Sequence, residues 1–152
     1  MKKFLLIAGF LAFAGASQAQ TANPKYDAAL AKRLGADDYG MKSYVLVILK
    51  TGSADIQHKE KLQGLFRGHM ANIQRLADEG KLVVAGPLGK NEQTYRGIFI
   101  FDVRTVAEAK ELVLTDPAVK AQVFDADFFE WYGSAALPEY LKAHEKVEKL
   151  KP

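Results

Sequence analysis

Two short segments, SYVLVILK (Ser43 to Lys50) and GIFIFDV (Gly97 to Val103), restrict the folds open to this chain more than any other feature. Read with the two-residue period of a β-strand, the first sets Tyr44, Leu46 and Ile48 on one side and Val45, Val47 and Leu49 on the other. The second sets Ile98 and Ile100 against Phe99, Phe101 and Val103. Strands that are apolar on both faces belong inside a sheet that is covered on both sides.

The intervening segments supply one of those covers. From about Asp55 to Glu79 the pattern predicts a long amphipathic helix stopped at Gly80. KLVVAGP reads as a second strand and LGKNEQTYR as the loop to GIFIFDV, after which TVAE (Thr105 to Glu108) opens a second helix as a capping box. Asp116-Pro117 ends that helix, and QVFDADFFEWY is the fourth strand. This β-α-β-β-α-β order predicts an α+β domain, a ferredoxin-like split βαβ sandwich with strands one and three central and both helices on one face. The other face then needs a second subunit or the chain's own ends, and a homodimer joined sheet to sheet is the economical expectation.

Both ends extend beyond this unit. In MKKFLLIAGFLAFAGASQAQ, Lys2 and Lys3 precede an apolar run that exits through Ser17-Gln18-Ala19, the pattern of a secretory signal at residues 1–19 cleaved before Gln20. The expected location is periplasmic or secreted. The run falls short of the ~20 apolar residues a spanning helix needs, so no stable membrane insertion is expected after cleavage. Residues 20–41 form an N-terminal extension, with Asn23 expected as N-cap, Pro24 as first helical residue and Gly35 as the stop. The domain proper is expected at 42–133, and 134–152 reads as a helical tail with Tyr140, Val147 and Leu150 on one side.

Composition removes several classes of function. The chain has no cysteine, which excludes disulfides, thiolate ligands and a cysteine nucleophile together. Loss of Lys2 and Lys3 lowers the formal net charge from +3 to +1, and without a basic block no nucleic-acid partner is expected. His58 and His69 stand eleven residues apart on one expected helix, ~16 Å at ~1.5 Å per residue, too far to share an ion. With His144 in the tail, no metal site is expected. There is no Gly-rich phosphate loop, and Gly133-Ser134 lacks the strand-turn-helix frame of a nucleophile elbow, so no cofactor is expected either.

One residue breaks the first helix's pattern. Leu62, Leu65, Phe66, Ile73 and Leu76 form an apolar stripe, and His69 falls in its middle. A lone histidine there is either a hydrogen-bonded core residue or the working part of a buried site. Asp116 ends the other helix of the same layer, where it is placed to orient the imidazole, and a base with an orienting carboxylate is the minimal proton-transfer site. Around that pair, Gly86 and Pro87 end strand two, Arg96 is a candidate to neutralise an anionic substrate, and Trp131 is a candidate wall for an aromatic ligand. The plain alternatives are a solvated loop arginine and a core tryptophan. Asp125 and Asp127 read as charges that discourage pairing at an edge strand, and Gly64, Gly68 and Ala71 as a bare helix face for the terminal helix to lie against.

HMANIQRLADEGKLVVAGP, RGIFIFDV, EAKELVLTDPAV and the closing WY together resemble the YCII-related family of small dimeric α/β-barrel proteins, over about Met41 to Tyr132. The resemblance implies an active site built on the helix histidine and the Asp-Pro aspartate, here His69 and Asp116. It also implies a fold similar to muconolactone isomerase, and the family includes a dehydrochlorinase acting on a chlorinated hydroxyhydroquinone. A phosphohistidine role has been proposed for the family's histidine. Two functions are therefore expected of the pocket. One is proton transfer by His69 and Asp116 in elimination or isomerisation of a small cyclic or aromatic compound; the other is non-catalytic binding of a small ligand by a dimer.

Overall fold

The structure, a computed structural model, describes residues 23–149; the leader read at 1–19 lies outside the described residues. The elements run α1 (Ala28–Leu34), β1 (Met41–Thr51), α2 (Lys59–Asp78), β2 (Leu82–Pro87), β3 (Tyr95–Phe101), α3 (Val106–Val113), α4 (Pro117–Lys120), β4 (Phe124–Ser134), a 3-10 turn (Leu137–Tyr140) and α5 (Leu141–Val147). The four strands make one antiparallel sheet in the order β2-β3-β1-β4, so the two segments that are apolar on both faces are its central strands.

Register divides the sheet into two faces. Val45 and Val47 stand opposite Phe101 and Phe99, and with Leu49, Leu82 and Val103 they pack against Leu76 of α2 and Ala109 and Val113 of α3. On the reverse face Tyr44, Val83 and Ile100 form a second cluster with Leu46, Val84, Trp131 and Leu137. Leu137 belongs to the C-terminal segment, and the Tyr140 hydroxyl donates to Val83 O. The tail therefore covers one end of the reverse face, and the expectation that the terminal helix lies on Gly64, Gly68 and Ala71 is corrected. Gly68 instead faces Pro117. The two extensions also meet each other, through Arg33 Nη1 and Glu139 Oε1 at 3.0 Å and through Ala135 N donating to Gly40 O at 2.9 Å. Beneath the tail, burial and then the Asp102 charge push the Tyr44 phenol up to about 12.

Three local readings change. Asn23 spends its side chain on Lys25 N, an Asx turn, and Asp27 is the true cap of α1, accepting from Leu30 N at 2.9 Å. Gly35 stops α1 as expected, at φ 69°. Helix α2 starts at Lys59 and not near Asp55, because Gly52 N and Ala54 N donate to Val123 O and Gln122 O and hold the segment against the start of β4. His58 is consequently the N-cap residue just before the helix and not part of it. Asp116-Pro117 both ends α3 and restarts the chain as α4, with Pro117 at the first helical position. Asp125 and Asp127 neutralise Lys50, whose amine lies 3.4 and 2.6 Å away; the Asp127 bond is the main cause of its raised pKa.

Candidate functional site

The histidine's position follows from helical periodicity alone. On α2 it lies between Ile73, packed against the core, and Phe66, half at the surface. Asp116 arrives from the other direction, as the N-cap of α4. Its Oδ1 accepts from Ala118 N at 2.8 Å, and its Oδ2 lies 2.5 Å from His69 Nδ1. The side chains are 12% and 1% exposed, so the pair sits at the boundary of the core with the carboxylate wholly inside it.

The donors decide the tautomer. A carboxylate only accepts, so the short contact puts a proton on Nδ1 and, in the neutral ring, leaves the lone pair on Nε2. Nε2 has no hydrogen-bond partner among the described residues, yet no buried side-chain nitrogen or oxygen there lacks one. Nε2 is therefore not completely enclosed, in keeping with the 12% exposure of the side chain. Two phenyl rings lie against the imidazole, Phe124 at 5.1 Å and Phe99 at 6.0 Å between centroids, and Phe66 packs on Phe124 at 5.9 Å. An apolar, ring-lined surround with one oriented nitrogen suits a planar organic molecule better than a strongly hydrated ion.

The other expected site residues are not gathered there. Trp131 lies on the reverse face, 5.6 Å from Tyr44 between ring centroids, with its indole folded over Gly133. The sheet separates it from His69, so within one subunit it walls no ligand at the imidazole; alternation along β4 put it on the wrong side. Gly86 and Pro87 pair with Ile98 and Gly97, which places Pro87 on the imidazole's face one step beyond Phe99, and Gly86 on the reverse. Arg96 is exposed and donates from Nε to Thr51 Oγ1 at 2.8 Å; no hydrogen bond or ion pair joins it to His69 or Asp116. The sequence reading also missed Phe66, Phe99 and Phe124. None of them was singled out as a site residue, although Phe66 stands three residues before His69 on the same stripe.

Broad concavities lie elsewhere, one between α1, β1 and α3 around Lys42 and Arg104, another along the outer flank of α2 at Phe66, Arg67 and Met70. Neither is lined by His69 or Asp116. Among the described residues no group of three or more His, Asp or Glu is placed to hold a metal, and no helix is long and apolar enough to cross a membrane.

A family model described as the YCII-related domain matches residues 43–131, more than half of the chain. The chain belongs to the YCII-related family. The match begins at the second residue before Val45 in β1 and ends at Trp131 in β4, so it takes in both His69 and Asp116 and leaves out α1 and the C-terminal tail. No curated protein matches the chain. Among solved structures, it is similar to the 5-chloro-2-hydroxyhydroquinone dehydrochlorinase of Burkholderia phenoliruptrix AC1100 in complex with 2,5-dihydroxybenzoquinone. The identity is 19%, covering 57% of this chain and 92% of that chain, with a TM-score of 0.42.

Proposed function

We propose that this YCII-related protein is a small-molecule enzyme in which His69 Nε2, held in its basic tautomer by Asp116, moves a proton during elimination from, or isomerisation of, a small cyclic or aromatic compound. The observation that carries the reading is the 2.5 Å contact between His69 Nδ1 and a carboxylate that has no exposure of its own. Such a pair orients the ring and stabilises the imidazolium that forms when Nε2 takes a proton. The partly exposed rings of Phe66 and Phe124 supply the apolar contact for a ring-shaped substrate, while Phe99 is buried in the core beside the imidazole.

The experiment is a panel of cyclic and aromatic small molecules, first sorted by thermal shift and then incubated with the protein in deuterated water. A proton-transfer enzyme turns over, or places deuterium in, at least one compound that binds. If binders are found and none gains deuterium or reacts, the chain is a non-catalytic small-ligand-binding protein.

We further propose that the protein works as a homodimer joined through the part of the reverse sheet face that the tail leaves open. Leu46, Ile48 and Ile98 are only partly covered there, and Phe129 is 48% exposed. Covering such an apolar surface is the ordinary reason for a sheet to pair with its copy. Light scattering at micromolar concentration is expected to return twice the chain mass, and a monomer mass rejects the proposal.

Export is proposed on the sequence of residues 1–19. Intact mass of protein recovered from the periplasm or medium is expected to begin at Gln20; a full-length cytoplasmic product rejects it.

A further inference from the structure

Asp116 is fully buried although it sits on the short turn between α3 and α4, and turns of this kind ordinarily run at the surface. Something must hold this one down. The helix that carries His69 does so at two points, one on either side of each member of the pair. Just before His69, Gly68 meets Pro117, the residue just after Asp116: a Cβ at Gly68 would lie 2.5 Å from Pro117 Cγ, so only glycine lets the two helices close to this distance. Three residues after His69, Asn72 reaches Thr115, the residue just before Asp116.

This second contact is a closed triangle. Asn72 Oδ1 accepts from Arg75 Nη2 and from the Thr115 hydroxyl, both at 2.9 Å, and Arg75 Nη2 also donates to Thr115 Oγ1 at 2.9 Å. The single hydroxyl proton of Thr115 has a second acceptor, Leu112 O at 2.6 Å, but the guanidinium links Asn72 to Thr115 whichever acceptor it takes. Arg75 is steadied in turn by Glu79 Oε1 at 2.6 Å from Nη1. The guanidinium also fixes the amide's orientation, since a flipped Asn72 would set NH2 against NH2.

We infer that Asn72, through Arg75 and Thr115, is a positioning residue that sets the distance between Asp116 and His69, with the Gly68–Pro117 contact as the opposing support. The inference rests on the reading of His69 and Asp116 as the working pair. Asn72 is 8% exposed, and its acceptor is used on the residue that precedes the buried carboxylate. A leucine there would continue the apolar stripe but release the turn. Once Thr115 is free, the backbone bonds of Asp116 to Val113 and Lys120 and its capping bond to Ala118 N all stay on its own side, and the bond to His69 is the one hydrogen bond left between Asp116 and α2.

The test reads the His69 ring nitrogens by long-range proton–nitrogen correlation in the full chain, at a pH where the ring is neutral. The wild type is expected to show one tautomer, with the proton on Nδ1. Thr115→Val removes the hydroxyl at an exposed, isosteric position that does not endanger folding, and is expected to give mixed tautomers, as is Asn72→Ala. Thr115→Ser and Asn72→Asp keep the donor and the acceptor and are expected to retain the single form. A single Nδ1-protonated form in both Thr115→Val and Asn72→Ala overturns the inference, as does a wild-type ring already in mixed tautomers. Because the readout needs no substrate, it separates the two ideas. A protein that shows these shifts but turns over no binder loses the enzymatic reading and keeps the positioning role.

Discussion

Asp116→Asn is expected to leave the protein folded and to lower turnover of its substrate by about 10²–10⁴-fold, the range carried by a general base. The two side chains have the same shape, and asparagine caps a helix as well as aspartate does. With its oxygen kept on Ala118 N, the amide must turn its NH2 toward His69 Nδ1, where the wild type presents an acceptor. The imidazole then has to accept at Nδ1 and carry its proton on Nε2, which removes the lone pair from the ring nitrogen that faces away from residue 116. Turning the amide the other way restores the acceptor but sets two donors against each other at Ala118 N. The first choice keeps both hydrogen bonds and the second loses one, about 1–2 kcal/mol, so a folded protein with the wrong tautomer is the expected product. The kcat/KM of the variant and the ring nitrogen shifts measure the two halves separately. Wild-type turnover in Asp116→Asn would show that the carboxylate does not orient the base. Asp116→Ala is the poorer probe, since it removes the cap of α4 together with the partner.

How far the sequence led differs between fold and site. The central strands were legible because apolar residues on both faces permit no other place in a sheet, and the long helix because its stripe is continuous from Leu62 to Leu76. His69 stood out for the same reason, as a break in a regular pattern. What pattern alone did not reveal is which side of the sheet a residue reaches and what a turn does once the chain folds. Trp131 illustrates the first, because strand alternation fixes relative sides but the identity of the helix-covered side follows only from the whole register. Thr115, Asn72 and Gly68 illustrate the second. Threonine before an Asp-Pro, asparagine on a helix and glycine beside a histidine each read as ordinary residues, and their meaning arises from contacts across 43 to 49 positions of chain. The start of α2 was misplaced for a related reason, since backbone donors at Gly52 and Ala54 are taken by residues 122–123 and no local pattern records a bond of that range.

That same crossing supplies the largest stability effect expected of a single methyl group. A Cβ at Gly52 would stand 2.0 Å from Gln122 O and 2.7 Å from Gln122 C, both backbone atoms, so neither can rotate out of the way. The strand end is pinned there by Gly52 N on Val123 O at 2.9 Å and Ala54 N on Gln122 O at 3.0 Å, and Gln122 is already held at φ 56°. Gly52→Ala must either break those bonds or push the start of β4 away. The cost is expected near ~3 kcal/mol, the upper part of the range for overpacking, with a fall in Tm on the order of 10 °C. Gln122→Gly at the same crossing relieves the left-handed strain and is expected to be neutral or slightly stabilising. The damage should also reach the site, because Phe124 begins β4 two residues later and its ring lies against His69. Thermal melts of both variants measure the first effect, and the ring-current shift of the His69 protons measures the second. A Gly52→Ala protein that melts with the wild type would show that the two backbones do not approach as closely as this crossing requires.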